Sequence, residues 1–249
     1  MHRFFVSADN ITATIVRIDS EQSRHIEKVL RLKPGDTIIL FDGSGAEYQA
    51  RILGKDESNL LLAEIASTAQ KDNEPGVKLS LVQGIARGEK MDTIIQKAVE
   101  VGVSTIYPLQ CERAVVQLKG EKAQKKVNRW QVIAREACKQ CRRNIIPEVK
   151  PVISFYDLLR VINTTPAIML YENEQKLRLK KVLDTNRDNI ISQGLYLIVG
   201  PEGGFSPREV ETAQESGCLT AGLGPRILRT ETAGIVASSL VLYEFNDLG

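Results

Sequence analysis

The sequence predicts an α/β protein in two parts, a small β-barrel followed by a larger domain built on a parallel sheet. Short apolar runs with turn residues between them fill residues 1–70. From residue 77 onward, strand patterns alternate with helical patterns, which indicates β-α-β crossovers. Two glycine-rich turns near the C-terminus each follow a short apolar run and precede a helical pattern. Loops in that position bind ligands in open α/β sheets.

The N-terminal part, residues 1–70, has the closely spaced short strands that are typical of a small barrel. Turns such as Lys33-Pro34-Gly35-Asp36 separate these strands. A short helix is predicted from Glu21 to Val29, with Ser20 as its N-cap. The polar stretch that follows predicts a linker over residues 71–76. The predicted strands are residues 12–18, 36–41, 47–53 and 59–65.

The second part, residues 77–249, is predicted to alternate strands with helices. Apolar residues recur at helical spacing from Lys90 to Val101, and Gly102 is a stop signal. Ser206-Pro207-Arg208-Glu209 combines an N-cap serine, a proline at the first helical position and a capping-box glutamate. The predicted strands are residues 78–83, 105–109, 148–152, 167–171, 195–199 and 219–223, and the predicted helices are residues 90–101, 120–141, 155–162, 207–217 and 230–245.

The composition is that of a folded protein without a membrane segment. Hydrophobic residues make up 43% of the chain, an ordinary share, and no apolar run approaches the roughly 20 residues that span a bilayer. The start, Met1-His2-Arg3-Phe4-Phe5-Val6, lacks the apolar core and cleavage site of a secretory signal. We therefore expect a cytoplasmic protein whose four cysteines are reduced.

Positive charge is concentrated in the middle of the chain. The net charge is only +2, but residues 113–150 hold eleven Lys or Arg against three Glu. Such a segment indicates a surface that faces a polyanion. A solvated helix face is the alternative, and charge patterning alone does not separate the two.

Cys138-Lys139-Gln140-Cys141 is a C-x-x-C motif, which raises the question of a metal or redox site. Zinc needs about four ligands, and the chain has no second C-x-x-C and only two histidines, both far away in sequence. A thioredoxin-like motif begins a helix, whereas this one ends a long basic helix. We therefore predict no metal and no redox role here.

The two glycine-rich turns, Gly200–Gly204 and Gly222–Ala233, predict one pocket lined largely by main chain. Glycine lets the backbone approach a ligand closely, and proline stiffens the turn. Neither turn has the sequence of a P-loop or of a G-x-G-x-x-G dinucleotide site. A tight turn without a ligand is the alternative for each loop alone.

Five motifs together resemble one family over essentially the whole chain. They are Arg3-Phe4-Phe5-Val6, Arg24-His25 with Val29-Leu30-Arg31, Arg87-Gly88-Glu89-Lys90-Met91-Asp92, Gly200-Pro201-Glu202-Gly203-Gly204, and Leu223 to Ala233. In this order they resemble the ribosomal small-subunit methyltransferase E family (RsmE) of the SPOUT superfamily. The last two motifs are long and specific, although related SPOUT enzymes share looser versions of them.

The resemblance implies a fold and an activity. It implies a PUA-like barrel over 1–70 that assists RNA recognition. It also implies a SPOUT domain over 77–249 with a C-terminal trefoil knot around an S-adenosylmethionine (SAM) site. Members are homodimers that methylate N3 of a specific uridine in the decoding region of 16S rRNA. Because a small barrel and basic patches suit shape reading of folded RNA, we expect the assembled small ribosomal subunit as substrate.

The resemblance also implies site residues. Uracil N3–H is a weak acid, so we expect Glu202 to accept its proton, directly or through water, and Arg229 to stabilise negative charge on a uracil carbonyl oxygen. A salt bridge from Arg229 to Glu231 or Glu202 is the alternative. The implied cofactor-binding residues are Leu170, Tyr171, Glu172, Gly200, Pro201, Glu202, Gly203, Leu223, Gly224, Ile227, Leu228 and Thr230.

Basic side chains supply the implied RNA contacts, which give affinity but not sequence choice. His25 is equally well explained as a helix-surface residue. The family often has glycine at the position of Arg142, so the backbone role of that loop is open. The implied RNA-binding residues are Arg3, Arg24, His25, Arg31, Arg87, Lys90, Arg113, Arg142, Arg143 and Asn144.

Three other functions compete with an rRNA methyltransferase. A SPOUT enzyme acting on tRNA or large-subunit rRNA usually lacks this barrel and the Arg87–Lys90 segment. A non-catalytic RNA-binding or ribosome-assembly protein has no reason to keep both glycine-rich loops. A metabolic enzyme that binds a nucleotide leaves the basic segment and the barrel unexplained.

Overall fold

The computed structural model describes residues 1–70 and 73–249, so residues 71 and 72 of the predicted linker lie outside the described chain. The chain divides into two compact units. The first comprises residues 1–74 together with 138–146, and the second comprises residues 75–137 and 147–249. Within the described residues, no helix is long and apolar enough to cross a lipid bilayer.

The first unit is built on a six-stranded sheet in the order β1-β4-β5-β6-β3-β2. Its pairings are antiparallel except for the parallel pair of β1 and β4. Buried apolar side chains from these strands, such as Val16, Ile38 and Ile52, form its core. The strands are β1 (Arg3–Phe5), β2 (Ile11–Thr12), β3 (Ile15–Arg17), β4 (Thr37–Phe41), β5 (Ala46–Lys55) and β6 (Leu61–Gln70).

The helix of the first unit begins one residue earlier than predicted. Helix α1 spans Ser20–Arg24, and a π-helical turn over His25–Val29 continues it. Its N-cap is Asp19, whose carboxylate accepts a 2.9 Å hydrogen bond from the Gln22 backbone N–H. The prediction of Ser20 as the N-cap was therefore wrong, because aspartate at the preceding position caps equally well.

The second unit contains an all-parallel sheet in the order β10-β8-β7-β12-β11-β13, with β9 paired to β8. The central strands β7 and β12 are buried on both faces. The strands are β7 (Leu79–Gly84), β8 (Thr105–Gln110), β9 (Glu148–Val149), β10 (Ile153–Ser154), β11 (Ala167–Leu170), β12 (Leu195–Val199) and β13 (Leu219–Ala221).

The helices confirm most of the predicted elements. The capping box at Ser206 is formed, with Ser206 and Glu209 exchanging side-chain to backbone hydrogen bonds. Two short helices, α5 and α6, were not predicted. The helices are α2 (Lys90–Val101), α3 (Gly120–Cys141), α4 (Phe155–Ile162), α5 (Leu179–Thr185), α6 (Arg187–Gln193), α7 (Pro207–Glu215) and α8 (Thr230–Glu244).

Candidate active site

A cavity of about 790 Å³ opens in the second unit at the carboxyl ends of β11, β12 and β13. Its volume is within the range of small-molecule sites. Three segments contribute most of its walls: residues 170–178, 199–205 and 221–233. The two glycine-rich loops thus lie around one cavity, together with the Leu-Tyr-Glu segment that follows β11.

The structure brings all of the predicted cofactor-binding residues into the wall of this cavity. They are Leu170, Tyr171, Glu172, Gly200, Pro201, Glu202, Gly203, Leu223, Gly224, Ile227, Leu228 and Thr230. Arg229 and Lys90 line it as well. The position of these residues is therefore known, and their part in binding a cofactor stays a prediction.

Glycine at 203 lets the loop after β8 lie directly on the Gly200–Gly204 loop. A Cβ atom at Gly203 would lie 2.9 Å from the backbone oxygen of Arg113. Glu112, the residue before Arg113, is held from the other side, because its backbone N–H donates to Glu209 at 2.9 Å and its carboxylate accepts from Ser206 at 2.6 Å. The exposed Arg113 is thereby fixed beside the cavity loop.

Glu174 is a structural residue of the cavity that the sequence did not reveal. Its Oε1 accepts backbone hydrogen bonds from Lys176 and Leu177, and its Oε2 accepts from the Thr220 hydroxyl at 2.8 Å. The bond from Leu177, followed by those from Thr220 and Lys176, lowers the pKa of Glu174. Glu174 therefore stays ionised and holds the 171–178 loop against β13. The loop is polar and aperiodic, so no sequence pattern marks this residue.

Lys90 joins two carboxylates at the edge of the cavity. Its Nζ lies 3.1 Å from Glu202 Oε1 and 3.3 Å from Glu231 Oε2. The hydrogen bond to Glu202 raises the pKa of Lys90. Partial burial disfavours the ionised form of Glu202, but the backbone N–H groups of Glu202 and Arg87 and the Lys90 ammonium outweigh it and lower the pKa of Glu202. At neutral pH, Glu202 is a carboxylate and Lys90 is an ammonium.

Arg229 is free of the salt bridge that was its alternative role. Both carboxylates named in that alternative, Glu202 and Glu231, lie against Lys90 instead. Throughout residues 1–70 and 73–249, Arg229 forms no ion pair, and its side chain is exposed at the cavity. Its guanidinium is available to an anionic or carbonyl oxygen that enters the cavity.

Several predicted RNA-contact residues are exposed on their own units. Arg24, His25 and Arg31 are exposed on the first unit, as is Arg142. On the second unit, exposed Arg87 and Arg113 and the half-buried Lys90 come from the segments that adjoin the cavity loops.

Arg142 has a backbone conformation that favours glycine. It follows the last residue of α3 and has φ of +66°, in the left-handed region that favours glycine at helix ends. An arginine adopts this conformation at a cost of about 1–2 kcal/mol. The loop therefore keeps the turn that glycine makes easily, and it adds a positive charge.

Arg143 and Asn144 are buried and the Arg3 side chain is only 8% exposed, so the structure engages all three within the first unit, and their contact with RNA stays a prediction. Arg3 donates to the backbone oxygens of Cys138 and Arg143, each at 2.8 Å, and to the side-chain oxygen of Asn144. Its guanidinium also lies over the Phe41 ring at 3.9 Å. Because all five residues belong to the first unit, these contacts fasten residues 138–146 to its strands.

Arg143 forms the second attachment of the same segment. Its guanidinium lies 2.5 Å from the carboxylate of Glu74, and the other oxygen of that carboxylate accepts from the Ile145 backbone N–H at 3.2 Å. Arg143 is only 4% exposed and Asn144 only 1%. These side chains hold the segment within the unit, which gives them a structural role.

The two thiols of the C-x-x-C motif each donate to a backbone oxygen. All four cysteines are free thiols, and Cys138 is buried whereas Cys141 is half-buried. The Cys138 thiol donates to the Ile145 backbone oxygen at 3.6 Å. The neighbouring Cys138 side chain, with the backbone N–H and the charge of Arg143, lowers the pKa of Cys141. The described residues contain no cluster of three or more His, Cys, Asp or Glu side chains able to hold a metal ion.

Comparison with known proteins relates both parts of the chain to RNA methyltransferases. Residues 73–242 match the model of an RNA methyltransferase domain, and residues 18–65 match the model of an RNA methyltransferase PUA domain. The ribosomal RNA small subunit methyltransferase E of Bacillus subtilis (strain 168) is 36% identical, over 98% of this chain and 97% of that protein.

Solved structures of similar proteins have the same architecture. Ribosomal RNA small subunit methyltransferase E from Neisseria gonorrhoeae, bound to S-adenosyl methionine, has a TM-score of 0.85 and 35% identity over 98% of each chain. A methyltransferase described as putative from Legionella pneumophila, in complex with SAM, has a TM-score of 0.84 and 32% identity over 97% of each chain.

These likenesses confirm the predicted α/β methyltransferase fold with a PUA domain at its N-terminus. The trefoil knot implied by the resemblance stays a prediction. The match over nearly the full length of both chains also confirms the family that the five motifs predicted. The chain belongs to the ribosomal RNA small subunit methyltransferase E family.

Proposed function

We propose that this protein uses SAM to methylate N3 of a specific uridine in the decoding region of 16S rRNA. We propose the assembled small ribosomal subunit as its substrate and the cytoplasm as its location. The observation that carries the proposal is that both glycine-rich loops line one and the same cavity, in a chain of this family. We assign RNA recognition to residues 1–70 and methyl transfer to residues 77–249, joined by the linker 71–76.

The cavity has the chemistry that SAM requires. Leu170, Leu223 and Leu228 provide apolar walls for an adenine ring, and the main chain at Gly200 and Gly224 supplies polar groups without side-chain bulk. Among the acidic wall residues, Glu172 and Glu202 suit ribose hydroxyls and positive charge. When bound, SAM supplies an electrophilic methyl group on a sulfonium.

The chain's own residues then act on the acceptor base. N3 of uracil gives its proton away as its new bond to carbon forms, and negative charge spreads onto the neighbouring carbonyl oxygens. The guanidinium of Arg229, exposed at the cavity, stabilises that charge. Most of the rate enhancement comes from orientation of the base in a preorganised pocket.

Glu202 is the proposed proton acceptor. Its lowered pKa keeps it ionised, so it is ready to accept a hydrogen bond from N3–H or from an intervening water. The same lowered pKa means that the proton does not stay on Glu202 and passes to solvent. Lys90 keeps the carboxylate in place through its 3.1 Å contact.

We propose that the protein is a homodimer, as the family resemblance implies. Helix α8 supports this, because it exposes Val236, Leu240 and Tyr243 at the i, i+4, i+7 spacing of a single helix face. Sedimentation equilibrium at micromolar concentration should give a dimer. A monomer at the chain mass of 27.6 kDa would contradict this part of the proposal.

Methyl transfer from labelled SAM to small subunits from a strain that lacks this gene tests the proposal directly. The labelled nucleoside is then identified and mapped. A single N3-methyluridine in the decoding region is expected, with faster transfer to subunits than to protein-free 16S rRNA. Label in tRNA or the large subunit would show that the protein is a methyltransferase with a different RNA substrate. SAM binding without any label would favour an RNA-binding or assembly role.

Two variants test the assigned residues in the same assay. Removal of a transition-state contact typically costs about 10²–10³-fold in rate, so Arg229→Lys and Glu202→Gln should each slow transfer by about that factor at saturating SAM. The lysine variant keeps the charge but loses the planar donor fork. Near-normal rates in both variants would show that neither residue takes part in the reaction.

A further inference from the structure

Gln83 is a buried polar side chain in the middle of an apolar sheet. It lies near the end of β7, which pairs with β8 on one side and β12 on the other, and none of its surface is exposed. Strands in such positions carry apolar side chains. Gln83 does not line the cavity. Its burial therefore calls for a role inside the fold.

The Gln83 amide starts a chain of hydrogen bonds that reaches the cavity loop. Its Nε2 donates to the hydroxyl of Thr230 at 2.8 Å and to the backbone oxygen of Gly84 at 3.0 Å. The Thr230 hydroxyl in turn donates to the backbone oxygen of Gly200 at 2.5 Å. One amide thus ties together β7, the first residue of α8 and the first residue of the glycine-rich loop.

Helix α8 is shaped to accept this side chain. Gly234 lies one turn after Thr230, and a Cβ atom there would be 2.9 Å from the Gln83 Oε1 atom. That oxygen has no hydrogen-bond partner among the described residues. A buried acceptor without a partner destabilises a fold. The Oε1 atom of Gln83 therefore lowers the stability of the fold, while its Nε2 atom holds the Gly200 loop through Thr230. Such a combination is expected of a residue whose role is to position the loop.

We propose that Gln83 is a positioning residue for SAM binding, acting through Thr230 on the Gly200 loop. The inference rests on the proposed function of the cavity as the SAM site. Without the amide, the Thr230 hydroxyl loses the donor that orients it toward Gly200. The loop then samples other positions, and the cavity loses preorganisation for its ligand.

Calorimetric titration of SAM into the full-length protein tests the inference. Gln83→Leu keeps the volume of the side chain and removes both ends of the amide. We expect its Kd for SAM to rise about tenfold, the loss of one well-placed hydrogen bond, while urea unfolding shows unchanged or higher stability. In methyl transfer, the KM for SAM should rise by the same factor, with kcat at saturating SAM within about threefold of the parent.

Gln131→Leu is the matched control. Gln131 is a similar amide in the same unit, with Nε2 donating to the Pro147 oxygen at 3.0 Å and Oε1 accepting from the Val149 N–H at 2.8 Å. It does not line the cavity. We expect this variant to lose stability and to bind SAM as the parent does, the reverse of Gln83→Leu.

A double-mutant cycle identifies the path. Thr230→Val should weaken SAM binding, Thr230→Ser should restore it, and Gln83→Leu combined with Thr230→Val should be no weaker than the worse single variant. Should Gln83→Leu fail to fold, Gln83→Met, which also removes the amide and keeps an unbranched side chain of similar length, carries the same test. Parent-like SAM affinity in Gln83→Leu, or additive losses in the cycle, would overturn the positioning role. Absence of SAM binding in the parent protein would instead overturn the proposed function itself.

Discussion

Substitution of Gly84 by alanine tests how closely β7 must approach the cavity loop. A Cβ atom at Gly84 would lie 2.4 Å from Pro201 N, 2.6 Å from Pro201 Cδ and 2.8 Å from the carbonyl carbon of Gly200. Ordinary contacts begin at 3.4 Å, so the backbone of the loop must move by about 1 Å. All three atoms belong to the Gly200–Pro201 backbone or to the proline ring, so no flexible side chain can absorb the change.

The expected consequences of Gly84→Ala concern both stability and binding. Overpacking of a buried site costs about 1–3 kcal/mol, which urea unfolding measures. A 1 Å displacement at a binding site can cost about 100-fold in function, so we expect SAM affinity to fall by tenfold or more. Both effects follow from the same displacement, because Pro201 and Gly200 belong to the cavity wall.

Gly76→Ala is the control for Gly84→Ala. The nearest atom to a Cβ at Gly76 is an Asp247 carboxylate oxygen at 3.6 Å, an ordinary contact in the same unit. We expect its stability to stay within about 0.5 kcal/mol of the parent and its SAM affinity to be unchanged. If Gly84→Ala behaves like Gly76→Ala, the close packing of β7 against the loop does not shape the cavity.

Three further predictions concern charge and thiol chemistry. Cys141 should react with iodoacetamide at neutral pH at least about tenfold faster than Cys218, since burial raises the pKa of Cys218 to about 11; equal labelling by mass spectrometry would refute this. Lys90→Met should raise the pKa of Glu202 and move the acid limb of the rate–pH profile to higher pH, whereas an unmoved limb would show that Glu202 does not govern it. Arg3→Met should lower the free energy of unfolding by about 3–5 kcal/mol, which is the cost of breaking the buried ionic contact between Arg3 and Glu47.

The Arg3 prediction has an exposed counterpart as its control. Arg160 pairs with Asp157 on the surface of α4, and its side chain is 82% exposed. Such pairs contribute about 0–1 kcal/mol, so Arg160→Met should leave the unfolding curve almost unchanged. Similar small effects in both variants would mean that the contacts of Arg3 do not hold residues 138–146 in the first unit.

Local signals predicted the long elements of the fold. Helix α3 was predicted at its observed bounds because its apolar positions repeat over 22 residues. The capping box of α7 was predicted because its three signals stand within four residues. Helices α5 and α6 have only seven residues each and no cap hydrogen bond from a side chain, so neither periodicity nor capping marks them.

The sequence did not predict which charged side chains are buried. Arg3 lies more than 130 residues from the carbonyl groups that it binds, and nothing in the local pattern of either segment shows that they meet. Without a partner, an arginine in a basic context indicates a surface that faces a polyanion. The family resemblance implied RNA contacts for Arg3 and Arg143, and no local pattern showed that the structure uses both to hold its own backbone.

In the candidate site, too, the sequence predicted some parts and missed others for a physical reason. Its walls were predictable because they are made of main chain, and main chain that must approach a ligand leaves glycine in the sequence, as at Gly200 and Gly203. The groups that hold those walls act through side-chain hydrogen bonds to residues distant in sequence, from Gln83 to Thr230 and from Thr220 to Glu174. A single glutamine or glutamate leaves no sequence pattern that marks such a distant partner. Gln83 resembles the polar end of a strand, and Glu174 resembles any loop carboxylate. Variants at these two positions should therefore disturb SAM binding while every residue of the two glycine-rich motifs is intact.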